Sequence, residues 1–399
     1  MWTAGLAGSA AGWALIVARG WLAFEITEGS SRIVGLTTFA AMAPMFLVPP
    51  FIGVLADKID RRNLVAYTLV IDILQSVILS VLAISGTVQV WHLVTLAGVN
   101  GIARASQMPS VQALVPNLVP RERLLNALSL NAATLHGSRL IGPVLIAPLL
   151  LTVGVAGAFV LCGLAYTIGL SQVLRVRTRS TGGVTAEQRI LSAFVDGLIY
   201  VYRHKLIRAI IILTAFHCAL SMAYESVLPT LADQRLDAGA TGFNTIMIGV
   251  GAGSLVGSVW IAGVRGSLNQ GRILLAVGVV SGLSLAGLGL ATNMTVAVVS
   301  AALAGGSQGA FMTQVAAITQ SLADDKYRGR VASIFTFHVG GSMALVNLVN
   351  GYLAEYIDAS LILAVAGSAF VIIMIASFGT VVFRRIYTDG VPAPLAVAH

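Results

Sequence analysis

The sequence predicts an all-α membrane protein of twelve transmembrane helices in two six-helix halves. Three observations carry this. Hydrophobic residues make up 57% of the 399-residue chain and charged residues only 10%, with a mean hydropathy of +0.89. A soluble domain carries about 25% charged residues. Apolar runs of about 20 residues recur along the whole length, each long enough to cross ~30 Å of hydrocarbon. The basic residues collect in alternate loops. A backbone in lipid must satisfy its own polar groups, so it spans as helices or as a closed barrel, and continuous rather than alternating apolar runs select helices. The 42 glycines suit close packing of such helices.

The first half, 1–174, holds spans at 4–27, 33–56, 64–85, 91–115, 126–150 and 153–174. A polar segment follows at 175–206. The second half, 207–383, holds spans at 207–231, 242–264, 272–292, 294–320, 330–353 and 358–382, and 384–399 is a short tail. Of the 24 Lys and Arg residues, all but Arg19, Arg32, Arg104, Arg139 and Arg235 fall on one side. Basic loops stay in the cytoplasm, so both termini are expected inside. The net charge of +8 has this origin and does not indicate nucleic acid. No basic leader precedes the first apolar run, so no cleaved signal peptide is expected. Cys162 and Cys218 fall inside apolar runs and read as small buried residues, not as a disulfide or a metal site.

Within the central segment, Ile190, Phe194, Leu198, Val201 and Tyr202 recur at helical spacing beside Arg189, Asp196, Arg203 and Lys205. This predicts an amphipathic helix at the inner membrane surface, a solvated linker being the alternative. The halves read as a weak repeat. Asn100-Gly101 and the run to Asn126-Ala127 align at a constant offset with Gly305-Gly306 and the run to Val331-Ala332. Parallel repeats of this size belong to transporter architecture, with the substrate site at their interface near the midplane.

The stretch Gly53 to Leu64, GVLADKIDRRNL, packs Asp57, Lys58, Asp60, Arg61 and Arg62 into a tight inner loop. It resembles the signature loop of the major facilitator superfamily of secondary transporters, G-x-L-A-D-x-x-x-R-[RK], through Gly53, Leu55, Ala56, Asp57, Arg61 and Arg62. An ordinary basic loop would set topology with its cations alone, since acids add little to orientation. The corresponding loop of the second half, Gly263 to Arg272, keeps Gly263, Arg265 and Arg272 but has no acid. The resemblance implies a gating latch. Asp57 would sit at the start of the eleventh span, near Gly329 to Val331, where a helix N-terminus favours a carboxylate. Arg61 or Arg62 would pair with an acid on a neighbouring helix end.

WLAFEIT after the first span, PSVQALVPNLVPRERLLNA after the fourth and YRGRVASIF before the eleventh look like the bacterial exporter branch that includes enterobactin-exporter-like and macrolide-efflux-like proteins. In GSRLIGPVLIAP, Gly137, Gly142 and Pro143 resemble an exporter motif of the fifth helix ending G-P-x-x-G-G, with Ile146 and Ala147 in place of the last glycines. The resemblance implies the major facilitator fold in a bacterial inner membrane and alternating access. It implies proton-coupled efflux, by antiport, of an amphipathic siderophore-like or drug-like small molecule. A monomer without cofactor or metal is expected. An importer or facilitator of a sugar or organic acid, and a non-transporting membrane sensor of the same fold, are the alternatives. No nucleotide-binding motif, HExxH, GxSxG or clustered acid pair at membrane depth is present, so neither an ATP-driven pump nor an enzyme is expected.

A charge at the bilayer centre costs at least ~2.5 kcal/mol and needs a cavity or a partner. Arg19, Arg104 and Arg139 lie inside spans. Asn100, Arg104 and Gln107 share one helical face, and Asn131 lies near the face of Arg139. In the resembling fold the first, fourth and fifth helices line a central cavity, which implies a basic wall for an anionic or acceptor-rich substrate. The alternative is that these arginines cap carbonyls or pair with acids between helices. The second half offers His217, Ser221, Tyr224, Gln308, Gln314, His338, Asn347 and Asn350, with aromatic area from residues such as Trp21. His217 also reads as a hydrogen-bonded packing residue. Asp72 and Glu225 are the candidates for proton coupling, Asp72 reading equally as structural.

Overall fold

The computed structural model describes residues 2–48, 60–118, 124–175, 190–264, 266–324 and 327–390. Among these the regular structure is entirely helical. Six helices precede the central segment: α1 Trp2–Glu25, α2 Ser31–Leu47, α3 Arg61–Ser85, α4 Val90–Leu118, α5 Leu124–Thr152 and α6 Val155–Leu174. The central segment carries α7, Ile190–Arg203. Then come α8 Lys205–His217, α9 Gly239–Ala262, α10 Ser267–Gly289, α11 Met294–Leu322, α12 Arg328–Leu353, α13 Ala359–Ser377 and the short α14 Val381–Asp389. Nine helices among the described residues are long and apolar enough to cross a membrane, and Ser31–Leu47 and Gly137–Thr152 are shorter apolar helices.

Local chemistry sets several of the ends. The Asp60 carboxylate accepts from the Arg62 amide and caps α3, which ends at Gly86 in a left-handed conformation (φ +66°). Asn293 caps α11 through the Val296 amide, and Asp358 caps α13 through the Ser360 amide. The expected second span ran to residue 56. The described helix ends at Leu47, and Gly53 and Asp57 of the loop lie outside the described residues.

The expected continuous span over 207–231 needs correction. Helix α8 ends at His217 and passes into a π-helical turn, Cys218–Met222. Backbone from Ala223 to Val227 then leaves the helix before a turn resumes at Leu228–Thr230 and Leu231–Arg235. Non-helical backbone at membrane depth survives only where protein or a wet cavity serves its polar groups. Here neighbouring side chains serve them, as described below.

Helix α1 packs on α5 and α6, α3 on α4 and α6, and α2 on α4. In the second group α9 and α10 both pack on α11, and α10 on α13. Two seams join the groups: α2 with α12, and α5 with α9. The constant offset of the sequence repeat carries α2 onto α9 and α5 onto α12, so each seam is the exchanged copy of the other.

The α2–α12 seam is closest at one end. A Cβ added to Gly35 would lie 2.8 Å from the Asn347 carbonyl oxygen and 3.1 Å from the Gly351 Cα, so the two backbones touch there. The Ser31 and Thr230 hydroxyls share a hydrogen bond at this end, and Ser30 Oγ donates to Glu355 at 3.1 Å. Arg32 reaches the same carboxylate at 4.0 Å. Towards the other end, residues 38–42 of α2 and 335–343 of α12 are almost all half-exposed. The backbones touch at the Arg32 end, whereas towards the end where α7 packs on α12 the seam is made by side chains, the Phe46 and Phe337 rings lying 5.8 Å apart.

Candidate translocation site

Two buried polar clusters lie against each other in the helix bundle. In the first, Asp72 of α3 accepts at Oδ1 from Asn100 Nδ2 of α4 and from Gln75 Nε2, both at 2.9 Å. Gln75 stands one helical turn from Asp72, so this half of the cluster is local. Arg19 of α1 is 2% exposed, and its Nη1 has no hydrogen-bond partner among the described residues. Asp72 lies within electrostatic reach of Arg104 and Arg19, and Tyr166 of α6 closes the group.

The second cluster is built on the break after α8. Arg139 of α5 donates from Nη2 to the Tyr224 hydroxyl at 3.1 Å. The Tyr224 hydroxyl in turn donates to Gln308 Oε1 of α11 at 3.1 Å, and Gln308 Nε2 donates to the Ser221 carbonyl at 2.6 Å. The Arg139 guanidinium also stands over the Trp13 ring, 5.0 Å from its centre. From α12, Asn350 Nδ2 donates to the Ala223 carbonyl at 2.6 Å, and Asn347 Oδ1 accepts from the Ser226 amide at 3.0 Å. Three side chains from two helices thus replace the hydrogen bonds that the break removes. The alternative, an unpaired backbone group in a dry interior, costs about 1–3 kcal/mol each.

Glu225 is the exception inside this ordered break. It is 5% exposed, and neither carboxylate oxygen has a hydrogen-bond partner among the described residues. The basic groups in its electrostatic reach are Arg139 and Arg104. Arg104 acts on both Asp72 and Glu225. A buried acid in electrostatic reach of two arginines can carry either a proton or a charge.

Pro143 shapes the α5–α9 seam. Its ring removes the amide that would bond the Arg139 carbonyl. Gly251 of α9 packs directly on that carbonyl, and Asn244 Nδ2 donates to the Pro143 carbonyl at 3.2 Å. On its other side, Gly142 lies against α1: a Cβ there would stand 2.8 Å from the Ala14 amide nitrogen and 2.9 Å from Trp13 Cβ. Gly137 has open space around the same position. Of the two glycines, Gly142 is the one a close approach requires.

Other predicted residues lie elsewhere. His217 is fully buried between Phe311 (ring centres 4.1 Å apart) and Phe370 (5.0 Å), and shares a hydrogen bond with Ser281 at 3.0 Å. It sits in a packed aromatic core. Gln314 donates to the Gln270 carbonyl at the start of α10. His338 meets the Tyr202 hydroxyl of α7 at 3.0 Å. Trp21 packs on Phe24 and stacks on Phe243 of α9, 6.3 Å away. Gln107 is half-exposed, as is Arg104. Arg62 donates from Nε and Nη2 to the carbonyls of Val173 and Leu174 at 3.3 and 2.6 Å, capping the end of α6. Gly53, Asp57 and the side chains of Arg61 and Asn131 lie outside the described residues. Sequence reasoning missed Trp13, Ser226 and Asn244, and also Gln75, whose signal was its place one turn after an intramembrane acid.

A sequence profile of the transmembrane secretion effector family, within the major facilitator superfamily, matches residues 1–389. The chain belongs to this family. Among secretion effector relatives, macrolide efflux protein A of Streptococcus pyogenes is 20% identical over 325 residues, covering 78% of each chain. The staphyloferrin A transporter of Staphylococcus aureus is 21% identical over 317 residues, covering 79% of each chain. The fold matches a POT family transporter (TM-score 0.73, 14% identity, 94% of this chain and 95% of that one). It also matches the nucleoside transporter NupG (TM-score 0.74, 12% identity, 94% and 98%). At such identities these structures establish the fold alone. The secretion effector described here is a multi-pass membrane transporter with efflux proteins among its relatives.

Proposed function

We propose that this secretion effector is a proton-coupled exporter working by alternating access across a bacterial inner membrane, with both termini in the cytoplasm. Its moving units are the two six-helix halves, 1–174 and 207–383, rocking about the α2–α12 and α5–α9 seams. Its cargo is an amphipathic small molecule, siderophore-like or drug-like, and it works as a monomer.

The observation that carries the reading is Glu225. A carboxylate that is buried, partnerless and held at a break beside Arg139 is costly as a permanent anion. It gains a purpose if protons and cargo load it in turn. Loss of its proton to the cytoplasm leaves the carboxylate free to hold a donor or cationic group of the cargo, with Arg139 and Arg104 beside it for the cargo's acceptors. A proton taken up from the outer side neutralises the carboxylate and displaces that cargo outward, so proton and cargo cross in opposite directions. The cytoplasmic latch of Asp57 and its arginines would part in the inward-open state, and the outer seam at Ser31, Thr230 and Glu355 in the outward-open state. The relative named macrolide efflux protein A supports efflux as the direction, and it and the staphyloferrin A transporter supply cargoes to try.

The test is efflux of a labelled panel (a catecholate siderophore, a macrolide and a cationic dye) from cells with and without a protonophore. Efflux that collapses with the gradient is the expected result. Efflux indifferent to the gradient rules out the coupling.

A further inference from the structure

Helix α7 divides into three sectors. Successive residues are roughly 100° apart around a helix. Phe194, Gly197, Leu198 and Val201 fall on one face, and this face meets α12. The Phe194 and Phe337 rings lie 5.6 Å apart, Gly197 packs on the Arg330 Cβ, and Val201 is fully buried beside Val331 and Ile334. Val195 and Ile199 form a second apolar stripe about a third of a turn away, and both are exposed, while Tyr202 beside them turns its hydroxyl to His338 of α12. The remaining sector is polar, with Asp196 ion-paired to Arg330 at 3.7 Å, and Arg203 exposed. A solvated linker has no reason to keep two apolar stripes. A helix with one stripe on protein, one on acyl chains and a polar edge in water does.

The basic residues lie at one end of this helix. Arg203, Lys205 and Arg208 are all exposed, within six residues of each other, where α7 gives way to α8. Arg208 Nη1 donates to the Tyr202 carbonyl at 3.1 Å, which ties the last of the cations to the end of α7. Cations at the edge of an inserted apolar stripe stand at the depth of lipid phosphates, and each is worth ~1 kcal/mol against an anionic leaflet.

We propose that α7 is a lipid-recognition element: its exposed Val195–Ile199 stripe inserts into the bilayer, and Arg203, Lys205 and Arg208 bind the headgroups of anionic phospholipids. The same helix holds α12 through Phe337, Arg330 and His338. It also reaches the chain before α12, where the Tyr200 hydroxyl accepts from the Asp324 amide at 3.2 Å and the Tyr200 ring stacks on Tyr327 at 4.2 Å. Lipid bound at α7 therefore bears on Phe337, which packs on both Phe194 of α7 and Phe46 of α2. This inference does not depend on the cargo or on proton coupling.

Two measurements on the full chain in vesicles test it. Ile199→Cys and Asp196→Cys are labelled with an environment-sensitive fluorophore, the native cysteines being buried. Brominated lipid should quench the label at 199 several-fold more than the label at 196. Equal quenching overturns the insertion. Next, the thermal midpoint is compared in phosphatidylglycerol and phosphatidylcholine vesicles. Phosphatidylglycerol should raise it, and added salt should remove the rise. The Arg203→Gln/Lys205→Gln/Arg208→Gln variant should lose it, and Arg203→Lys/Arg208→Lys should keep it. A rise that persists in the glutamine variant, or that is absent from the unmodified protein, overturns the headgroup site.

Discussion

Arg139 donates to the Tyr224 hydroxyl at 3.1 Å, and this one bond ties the fifth helix to the break that follows α8. Both residues come from seams or hinges rather than from rigid helix centres. Arg139 stands four residues before Pro143, and Tyr224 lies in the interrupted backbone. The bond therefore reports the relative position of the two groups of helices, with Glu225 as the next residue along the chain.

Removing Arg139 should expose the cost of Glu225. Arg139→Gln takes away the first of the two cations in reach of that carboxylate. Losing a contact partner of a buried charge costs ~3–5 kcal/mol, and the loss here should fall below that because Arg104 remains. Adding Glu225→Gln should restore much of the thermal midpoint in detergent. A double variant no more stable than Arg139→Gln alone would show that the two residues are uncoupled.

The break should depend on its amide donors. Asn350→Ala strands the Ala223 carbonyl, and Gln308→Ala strands the Ser221 carbonyl together with the Tyr224 hydroxyl. Each should lower stability by about 1–3 kcal/mol. Gln107→Ala, at a half-exposed position, should change it little. Thermal unfolding of the three variants gives the order directly.

The break also marks where the sequence stopped being legible. The apolar runs located the helices well, because hydropathy needs no partner. The sequence AYESV over 223–227 contains neither Pro nor Gly, and Pro229 comes too late to mark the start of the break. What unwinds this stretch is the supply of amides from α11 and α12, which only the tertiary structure reveals. For the same reason Asn347 and Gln308 read as cargo contacts from sequence, whereas here they serve backbone. Asp72 and Asn100 were each conspicuous alone, but their 2.9 Å contact joins residues on different helices. Of Arg61 and Arg62, either of which was expected to pair with an acid, Arg62 caps the end of α6, and the Arg61 side chain lies outside the described residues.

Gly142 and Gly137 should behave differently although both belong to the exporter-like motif. Gly142→Ala pushes a methyl into α1 and should cost about 1–3 kcal/mol through overpacking. Gly137→Ala enters open space and should be neutral or slightly stabilising. Equal effects in a thermal-shift measurement would contradict the close approach of α1 and α5.

The outer seam should be lockable. Ser31 and Thr230 are in hydroxyl contact, so Ser31→Cys/Thr230→Cys should form a disulfide under mild oxidation. Transport should stop on oxidation and return on reduction. Unchanged transport through a fully cross-linked protein would contradict alternating access at this seam. The Arg32–Glu355 pair is more than half exposed on the arginine side, so Glu355→Gln should cost no more than ~1 kcal/mol.

The most direct measurement uses Glu225→Gln in vesicles with an imposed proton gradient, with any cargo that the panel identifies. The account predicts that gradient-driven transport is lost, because the neutral amide can neither take up a proton nor release one. Gradient-driven transport at the unmodified rate in Glu225→Gln would contradict it.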